Sequence, residues 1–266
     1  MFCVDPYINL LKSNGYNVVR LPRADFAPLL LLAKEDGKDL NRMGHIKDLL
    51  IGAAPPRVKL NTPAASISGQ RTATINTGIG LTLLGTFISA LGGGQVGLDA
   101  QFKNTSSIAF EFPEVFADDV DVTKLDQYLG KAQINPNSKQ MALLLDLDAL
   151  YVVTGIIKAK KFSVDTTSAS TGSAGLNAPV IQQIVGAKIQ VSKDANSASK
   201  LSFEGQQMLT FGFQARRLVY DGGDYIQLAA VAPGSVGAKG GILKSQRKKE
   251  IEAPSELTKG AFVRLD

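Results

Sequence analysis

Few residues in this chain are equipped for covalent or catalytic chemistry. Cys3 is the single thiol and His45 the single imidazole among 266 residues. A lone thiol can neither close an internal disulfide nor seed a metal cluster. It fits a reducing compartment and argues against a secreted disulfide scaffold. Near the start of the chain it reads either as a small apolar side chain or as a reactive one. His45 lies in Gly44-His45-Ile46-Lys47-Asp48 with no nucleophile motif nearby; it reads as a structural residue near a helix start. Asp146 and Asp148 have the spacing of paired carboxylates but read as a helix ending in a turn. Asp118, Asp119 and Asp121 read as acids complementing a helix N-terminus. The segment 237–245, GAKGGILKS, holds phosphate-loop letters in the wrong order and spacing. Gly92 to Gly97 precedes a strand pattern, whereas a dinucleotide loop follows one. Lys158, Lys160 and Lys161 lack interleaved aromatics, which favours a solvated sheet edge over a nucleic-acid platform. The expectation is a non-enzyme with no catalytic residue, no metal, no bound cofactor and no nucleic acid partner.

The elements that must position these residues follow from composition and pattern. Hydrophobic residues make up 44% and charged residues 20%, as in a globular chain with a real core. A net charge of +5 leans mildly toward acidic partners. Asp5 and Pro6 stand where a secretory leader would be apolar. No run of 18 apolar residues offers a membrane helix, so a membrane role would use strands, an amphipathic surface or a lipid.

Asp5, Pro6 and Gly15 frame a short first helix as cap, first position and stop. Tyr16 to Leu21 reads as a strand that Pro22 interrupts, and Leu29 to Ala33 as a buried strand. Helices are expected over Asn41–Ile51, over Asp118–Ala132 and after a cap at Ser138. Period-two alternation marks strands at Ala73–Leu83, Val96–Phe112, Val185–Val191, Leu209–Ala215 and Ile226–Val231. The seventeen residues from Val96 to Phe112 exceed the usual strand of about 5–6 residues and should bend near Asn104. Thr166–Asn177 is small, polar and loop-like. A few helices around many antiparallel strands make the fold α+β, with a twisted, mainly antiparallel central sheet and peripheral helices.

Four stretches, in order, resemble the gasdermin pore-forming domain. Leu150-Tyr151-Val152-Val153-Thr154-Gly155-Ile156-Ile157, continuing through Lys158 to Val164, resembles the family's YVVTE strand. His45 to Leu50 resembles its IKDIL helix, Asn104 to Phe110 its serine-rich turn into a strand, and Gln207 to Phe213 its late strand. The resemblance covers roughly residues 1–232. Two departures from the animal proteins, the missing large C-terminal repressor domain and a first helix with only Lys12 as a base, resemble the bacterial gasdermins.

The resemblance implies a monomer at rest, with a pore-forming domain over 1–236, a cleavable linker over 237–249 and an autoinhibitory C-terminal peptide over 250–266. It implies that a caspase-like protease cuts the linker, with Leu243, Arg247, Lys248 and Lys249 as recognition points. The freed domain would leave the cytoplasm for the inner membrane, oligomerise on anionic membrane lipids and insert hairpins as a β-barrel, killing the cell in antiphage defence. Membrane-strand candidates are Ile75, Ile79, Leu81, Leu83, Leu98, Phe102, Ile108, Phe110, Ile189 and Phe211. The same alternation serves an ordinary sheet, so a non-inserting lipid- or protein-binding β module is the alternative. The tail at 250–266 carries two cations against four anions, which leaves +7 on the other 249 residues. Leu257, Phe262, Val263 and Leu265 would hold it to the domain at roughly 1.5–3 kcal/mol each if buried, against about 1–2 kcal/mol per ordered residue. For Cys3 the resemblance implies S-palmitoylation, a chain of about 16 carbons worth on the order of 10 kcal/mol when buried.

Overall fold

The computed structural model describes residues 5–34, 40–168, 176–194 and 197–231. The expectations placed on Cys3, on the 237–249 linker and on the 250–266 tail lie outside these residues.

Helix α1 (Pro6–Ser13) is capped by Asp5, whose carboxylate accepts from the Tyr7 amide at 2.9 Å; Gly15 beyond it has φ +86°. Strands β1 (Asn17–Arg23), β2 (Leu30–Ala33) and β3 (Asn41–His45) follow, then the single turn α2 (Ile46–Leu49) and β4 (Leu50–Ile51). Next come β5 (Val58–Pro63), β6 (Ile75–Asn76), α3 (Thr77–Ala90), α4 (Leu98–Gln101), β7 (Thr105–Glu111) and β8 (Phe116–Val120). Helix α5 (Val122–Leu129), β9 (Gln133–Ile134) and α6 (Lys139–Asp146) lead to β10 (Leu150–Ser168). Helix α7 (Ala178–Val185), β11 (Ile189–Lys193), β12 (Lys200–Asp221) and β13 (Asp224–Ala230) complete the described chain. Eleven of these strands form one sheet, antiparallel at every pairing. The fold is α+β.

Two strands organise the sheet. β10 has 19 residues and β12 has 22, and they pair along most of that length. Their register breaks midway: β12 places Gly205 to Met208 where β10 has only Lys160. Such a bulge bends and twists a strand pair. On one side of this neck β10 pairs with β2 and β8, and β12 with β1 and β13; on the other β10 pairs with β7 and β12 with β11. The neck also carries a partly buried ion pair, Lys158 Nζ to Asp118 Oδ2 at 2.6 Å, and the other Asp118 oxygen accepts from the Asn61 amide at 2.7 Å.

Several expectations need correction. Asn41–His45 is a strand, not helix, because it pairs with β2; the helical spacing of Ile46 and Leu49 survives as one turn. Asp118 and Asp119 lie on β8, since Asp118 must face Lys158; the helix starts after Asp121, which caps it through the Thr123 and Lys124 amides. Ser138 stands at the N-cap of α6, but its hydroxyl donates to the Asp48 carbonyl instead. Pro22 stays inside β1, in the stretch where the ladder skips from Val18 to Arg23 and needs no proline N–H. Val185 ends α7, and the strand begins at Ile189. Thr166–Ser168 extend β10, and Asn177 caps α7 through the Val180 amide at 3.2 Å. Asp146 and Asp148 do end a helix at a turn, with Asp148 at φ +54°.

The largest correction concerns Ala73–Leu83. Only Ile75–Asn76 is strand; from Thr77 the chain is helical. Asn76 caps α3 through the Gly78 amide at 3.0 Å, and Leu84, Phe87, Ile88 and Leu91 form a buried stripe at helical spacing. That stripe outweighs the period-two pattern of the preceding residues. Likewise Val96–Phe112 is no continuous strand: α4 takes Leu98–Gln101, and β7 begins at Thr105, beside the expected bend.

Candidate functional site

Beyond the neck, β7, the end of β10, the start of β12 and β11 form a four-stranded antiparallel ladder. Its register sorts most side chains by face, the exceptions being Lys193 opposite Leu201, Thr166 opposite Ile108 and Ala109 opposite Asp165. One row places Phe110 beside Val164 and Leu201; another places Phe162 beside Phe203 and Val191. The alternate rows place Glu111 beside Ser163, Ser202 and Ser192, and Asp165 beside Lys200. This is an amphipathic sheet in the literal sense, apolar on one face and polar on the other.

The apolar face is covered by helices. Leu84, Phe87 and Ile88 of α3, together with Ile181 and Val185 of α7, join Phe110, Phe162, Val164, Leu201 and Phe203 in one buried cluster. Phe87 is its hub, with ring centroids 5.1 Å from Phe162, 5.7 Å from Phe112, 6.1 Å from Tyr7 and 6.4 Å from Phe211. Phe112 stacks on Phe211 at 4.4 Å, and Phe162 on Phe203 at 5.2 Å. Neither helix carries a charged side chain. Thr82 and Thr86 return their hydroxyls to the carbonyls of Gly78 and Thr82, so these two polar groups of α3 are satisfied within it.

The polar face is laced with ion pairs. Arg71 meets Asp165 at 2.7 Å, Lys200 meets Glu111 at 2.8 Å and Lys160 meets Glu204 at 2.8 Å. The Lys160 ammonium holds the Glu204 carboxyl below its ordinary range, and that carboxylate raises Lys160 in return. Ser163 and Ser202 share a hydrogen bond at 2.7 Å, and Ser199 donates to Asp165 at 2.8 Å.

A cavity of about 520 Å³ opens between α1, β1 and α3, lined by Tyr7, Ile8, Val18, Val19, Leu21, Ile79, Leu83 and Phe87, with Asp5 and Arg20 among its polar residues. Its lining is mostly apolar, the usual character of a pocket for a hydrophobic ligand. The Tyr7 hydroxyl is buried with no hydrogen-bond partner among the described residues, and burial pushes its pKa up.

The structure gathers most of the membrane-strand candidates into this region. Ile75, Leu98, Phe102, Ile108, Phe110, Ile189 and Phe211 are all buried in the same cluster, with Leu81 and Leu83 packed against it. Ile79 is 57% exposed, at the cavity rim. Of the ten, Ile79, Leu81 and Leu83 sit on α3, Leu98 on α4 and Phe102 just after it, so five are not in strands. Phe162, Val164, Leu201 and Phe203, central to the apolar face, are not among the ten. Their own period-two spacing was the available signal. Cys3, Leu243, Arg247, Lys248, Lys249, Leu257, Phe262, Val263 and Leu265 lie outside the described residues. His45 caps α2: its Nδ1 accepts from the Lys47 amide at 3.2 Å, and Asp48 accepts from the His45 amide at 2.9 Å. Partial burial, with Lys47 nearby, lowers the His45 pKa. Among the described residues no helix is long and apolar enough to cross a membrane, which says nothing about strands.

Comparison with known proteins fits this geometry. A family model described as the Bacterial Gasdermin Family matches residues 19–227. A protein named gasdermin bGSDM from a Desulfuromonadales bacterium is 44% identical over 269 aligned residues, covering 100% of this chain and 99% of its own length. Another of that name, from Lysobacter enzymogenes, is 39% identical over 241 residues and 89% of each chain. The solved structure of a bacterial gasdermin from Bradyrhizobium tropiciagri matches with a TM-score of 0.62 across 98% of this chain and 96% of that one; at 16% identity this likeness speaks for the fold alone. With a family model spanning most of its length and relatives this similar end to end, the chain belongs to the bacterial gasdermin family.

Proposed function

We propose that this protein is a latent pore former. The observation that carries the reading is the four-stranded ladder, already sorted into an apolar and a polar face, with its apolar face covered by two uncharged helices. A membrane-crossing strand needs about 9–11 alternating residues. From Lys158 to Ser168 β10 offers eleven residues of that length, with apolar Phe162 and Val164 alternating with Lys161, Ser163 and Asp165 at their centre. Removal of α3 and α7 from the sheet exposes an apolar surface that only lipid or another protein can cover. Because an open sheet edge is not tolerated in the hydrocarbon core, insertion requires closure with further copies into a barrel. The polar face, with Lys161, Lys200, Glu111, Asp165 and Glu204, then lines the lumen.

In this reading a caspase-like protease cuts within 237–249 and frees the domain from the 250–266 peptide. The domain moves from the cytoplasm to the inner membrane, binds acidic lipids, assembles and kills the cell, limiting phage spread. Cys3 carries a palmitoyl chain. The apolar cavity supports this last step: Asp5 lines it, and two residues of chain span at most about 7 Å, so an acyl group on Cys3 can reach it. No catalytic chemistry is required of any residue.

The test is dye release from vesicles rich in anionic lipid after limited proteolysis of the linker. Rapid release by cut protein and none by uncut protein is the expected result. Vesicles that stay sealed after clean tail removal would turn the reading toward a non-inserting binding module.

A further inference from the structure

The two helices that cover the apolar face come from distant parts of the chain, yet they are tied together at one point. Helix α3 ends with the Gly92 and Gly93 amides donating back to Ser89 and Ile88 at 2.8 and 2.9 Å. The next amide, Gly94, leaves its own helix and donates to the carbonyl of Val185, the last residue of α7, at 3.2 Å. The approach is too close for any side chain. A Cβ on Gly93 would stand 2.8 Å from the Val185 carbonyl oxygen and 2.5 Å from Ile189 Cδ1; one on Gly94 would stand 2.6 Å from the Ile184 carbonyl oxygen. Leu91, 6% exposed, fills the notch over Gly205 of β12, where a Cβ would collide with it.

Helix α7 is in turn fused to β11. The Gln182 amide nitrogen donates to the Gly186 and Ile189 carbonyls at 2.9 and 2.8 Å, and its oxygen accepts from the Val191 amide at 2.7 Å. A continuous path of hydrogen bonds therefore runs from α3 through the glycine turn into α7, and the Gln182 side chain carries it on to β11.

We infer that the Gly92–Gly94 turn is a latch that joins α3 to α7, so that both helices come away from the sheet as one unit rather than in sequence, the Gln182 bonds to β11 breaking as they leave. The inference rests on the pore reading for its purpose but not for its test. Interfaces packed this closely are bistable rather than gradually deformable: once α3 withdraws, the Val185 carbonyl and the Ile189 side chain lose their partners together. The consequence is that the apolar face is uncovered all at once, with no state in which half of it is bare.

Native-state amide hydrogen exchange on the full, uncut chain reads this directly. In the wild type, peptides over 77–90 and over 178–185 are expected to share one opening constant. Phe87→Ala, whose ring neighbours Tyr7, Phe112, Phe162 and Phe211 all lie outside α7, is expected to speed exchange in both segments by the same factor. Gly93→Ala, an overpacked site, is expected to speed both by about 5- to 150-fold and to abolish the equality of the Phe87→Ala response. Phe87→Leu and Leu91→Ala serve if the first pair fails to fold. Faster exchange confined to 77–90 in either Phe87 variant, or separate opening constants in the wild type, overturns the latch. If exchange is shared but cut protein releases no dye, the latch stands and the pore reading falls.

Discussion

Phe87→Ala measures how firmly α3 is held. The side chain is 2% exposed and lies among four aromatic rings. Truncating a buried Phe to Ala removes about 3–5 kcal/mol, the spread depending on how far the hole collapses. Collapse is poor here, because Phe112 and Phe162 are themselves stacked on Phe211 and Phe203 and cannot swing in without breaking those stacks. Of the four pairs only Tyr7 meets Phe87 edge-on, at 87°, so one pair adds about 0.5–1.5 kcal/mol beyond burial. The expected loss therefore lies in the upper half of the range, about 4–5 kcal/mol. At 1.36 kcal/mol per tenfold, the opening equilibrium of α3 rises by about three orders of magnitude. Urea denaturation gives the loss, and vesicle dye release after linker cleavage gives its consequence, a shorter lag. Ile79→Ala on the same helix, at 57% exposure, is the control and should stay within about 0.5 kcal/mol of wild type. A folded Phe87→Ala protein that loses under about 1 kcal/mol, or releases dye with an unshortened lag, refutes the view that α3 is a removable cover.

Other consequences follow from single contacts. Asp118→Asn leaves the Lys158 ammonium, 16% exposed, without its counter-charge and should lower stability by about 3 kcal/mol, with most of it recovered in a double variant that also carries Lys158→Met. Asp25 is held below its ordinary range mainly by its hydrogen bond to Arg42, with Arg23 adding to it; the stability it adds is present above its unfolded value of 3.8 and is lost as pH falls through the lower folded value. Since Asp25 is half exposed, Asp25→Asn should flatten the acid limb of a denaturation-versus-pH curve by no more than about 0.2–1 kcal/mol, and by less in high salt. Cys3→Ala should leave circular dichroism unchanged, remove any hydroxylamine-labile mass from the cell-derived protein and weaken permeabilisation; full activity would return Cys3 to a plain apolar role. At Gly78 a Cβ would meet only Asn76 Oδ1, at 3.5 Å, so Gly78→Ala should stabilise α3 by up to about 1 kcal/mol and lengthen the lag after cleavage.

Strands flanked by strands were legible, and helices competing with strand patterns were not. Leu29–Ala33, Leu209–Ala215 and the run after Leu150 alternate or run apolar without a rival period, and each is strand. The Asp5 cap was legible because a short acid before helical spacing has a local mechanism, whereas Asp121 was legible only as one of three acids near a helix start. Asn41–His45 was not, because nothing local announces pairing with β2. The apolar face was only half visible: Ile108, Phe110 and Ile189 were found, but the register that sets Phe162 beside Phe203 and Phe110 beside Val164 is a tertiary fact. The cavity was beyond reach for the same reason, since α1, β1 and α3 meet there from three separate stretches.

Residues 73–83 are where the two readings of this chain collide, and the collision has physical content. Helix α3 is poorly suited to be a helix. Gly78, Gly80 and Gly85 each forfeit about 1 kcal/mol relative to Ala, and Thr82 and Thr86 add smaller penalties. At 14 residues such a segment would not stay helical alone in water. Its conformation is imposed from outside, by Phe87, Leu84 and Ile88 in the aromatic cluster, by Gly80 against Ile108 and by the latch at Gly94. The alternation from Ile75 to Leu83, by contrast, is written in the residues themselves and agrees in register with β7, since Ile75 already stands opposite Ile108 and Asn76 opposite Ser107. Extending that pairing past Asn76 would continue the row of Ile75 with Thr77, its one polar lapse, and then Ile79, Leu81 and Leu83, and the row of Asn76 with Gly78, Gly80 and Thr82. A helix held mainly by tertiary contacts, over a sequence patterned for the strand next to it, is what a protein needs if one chain must be stable in two folds.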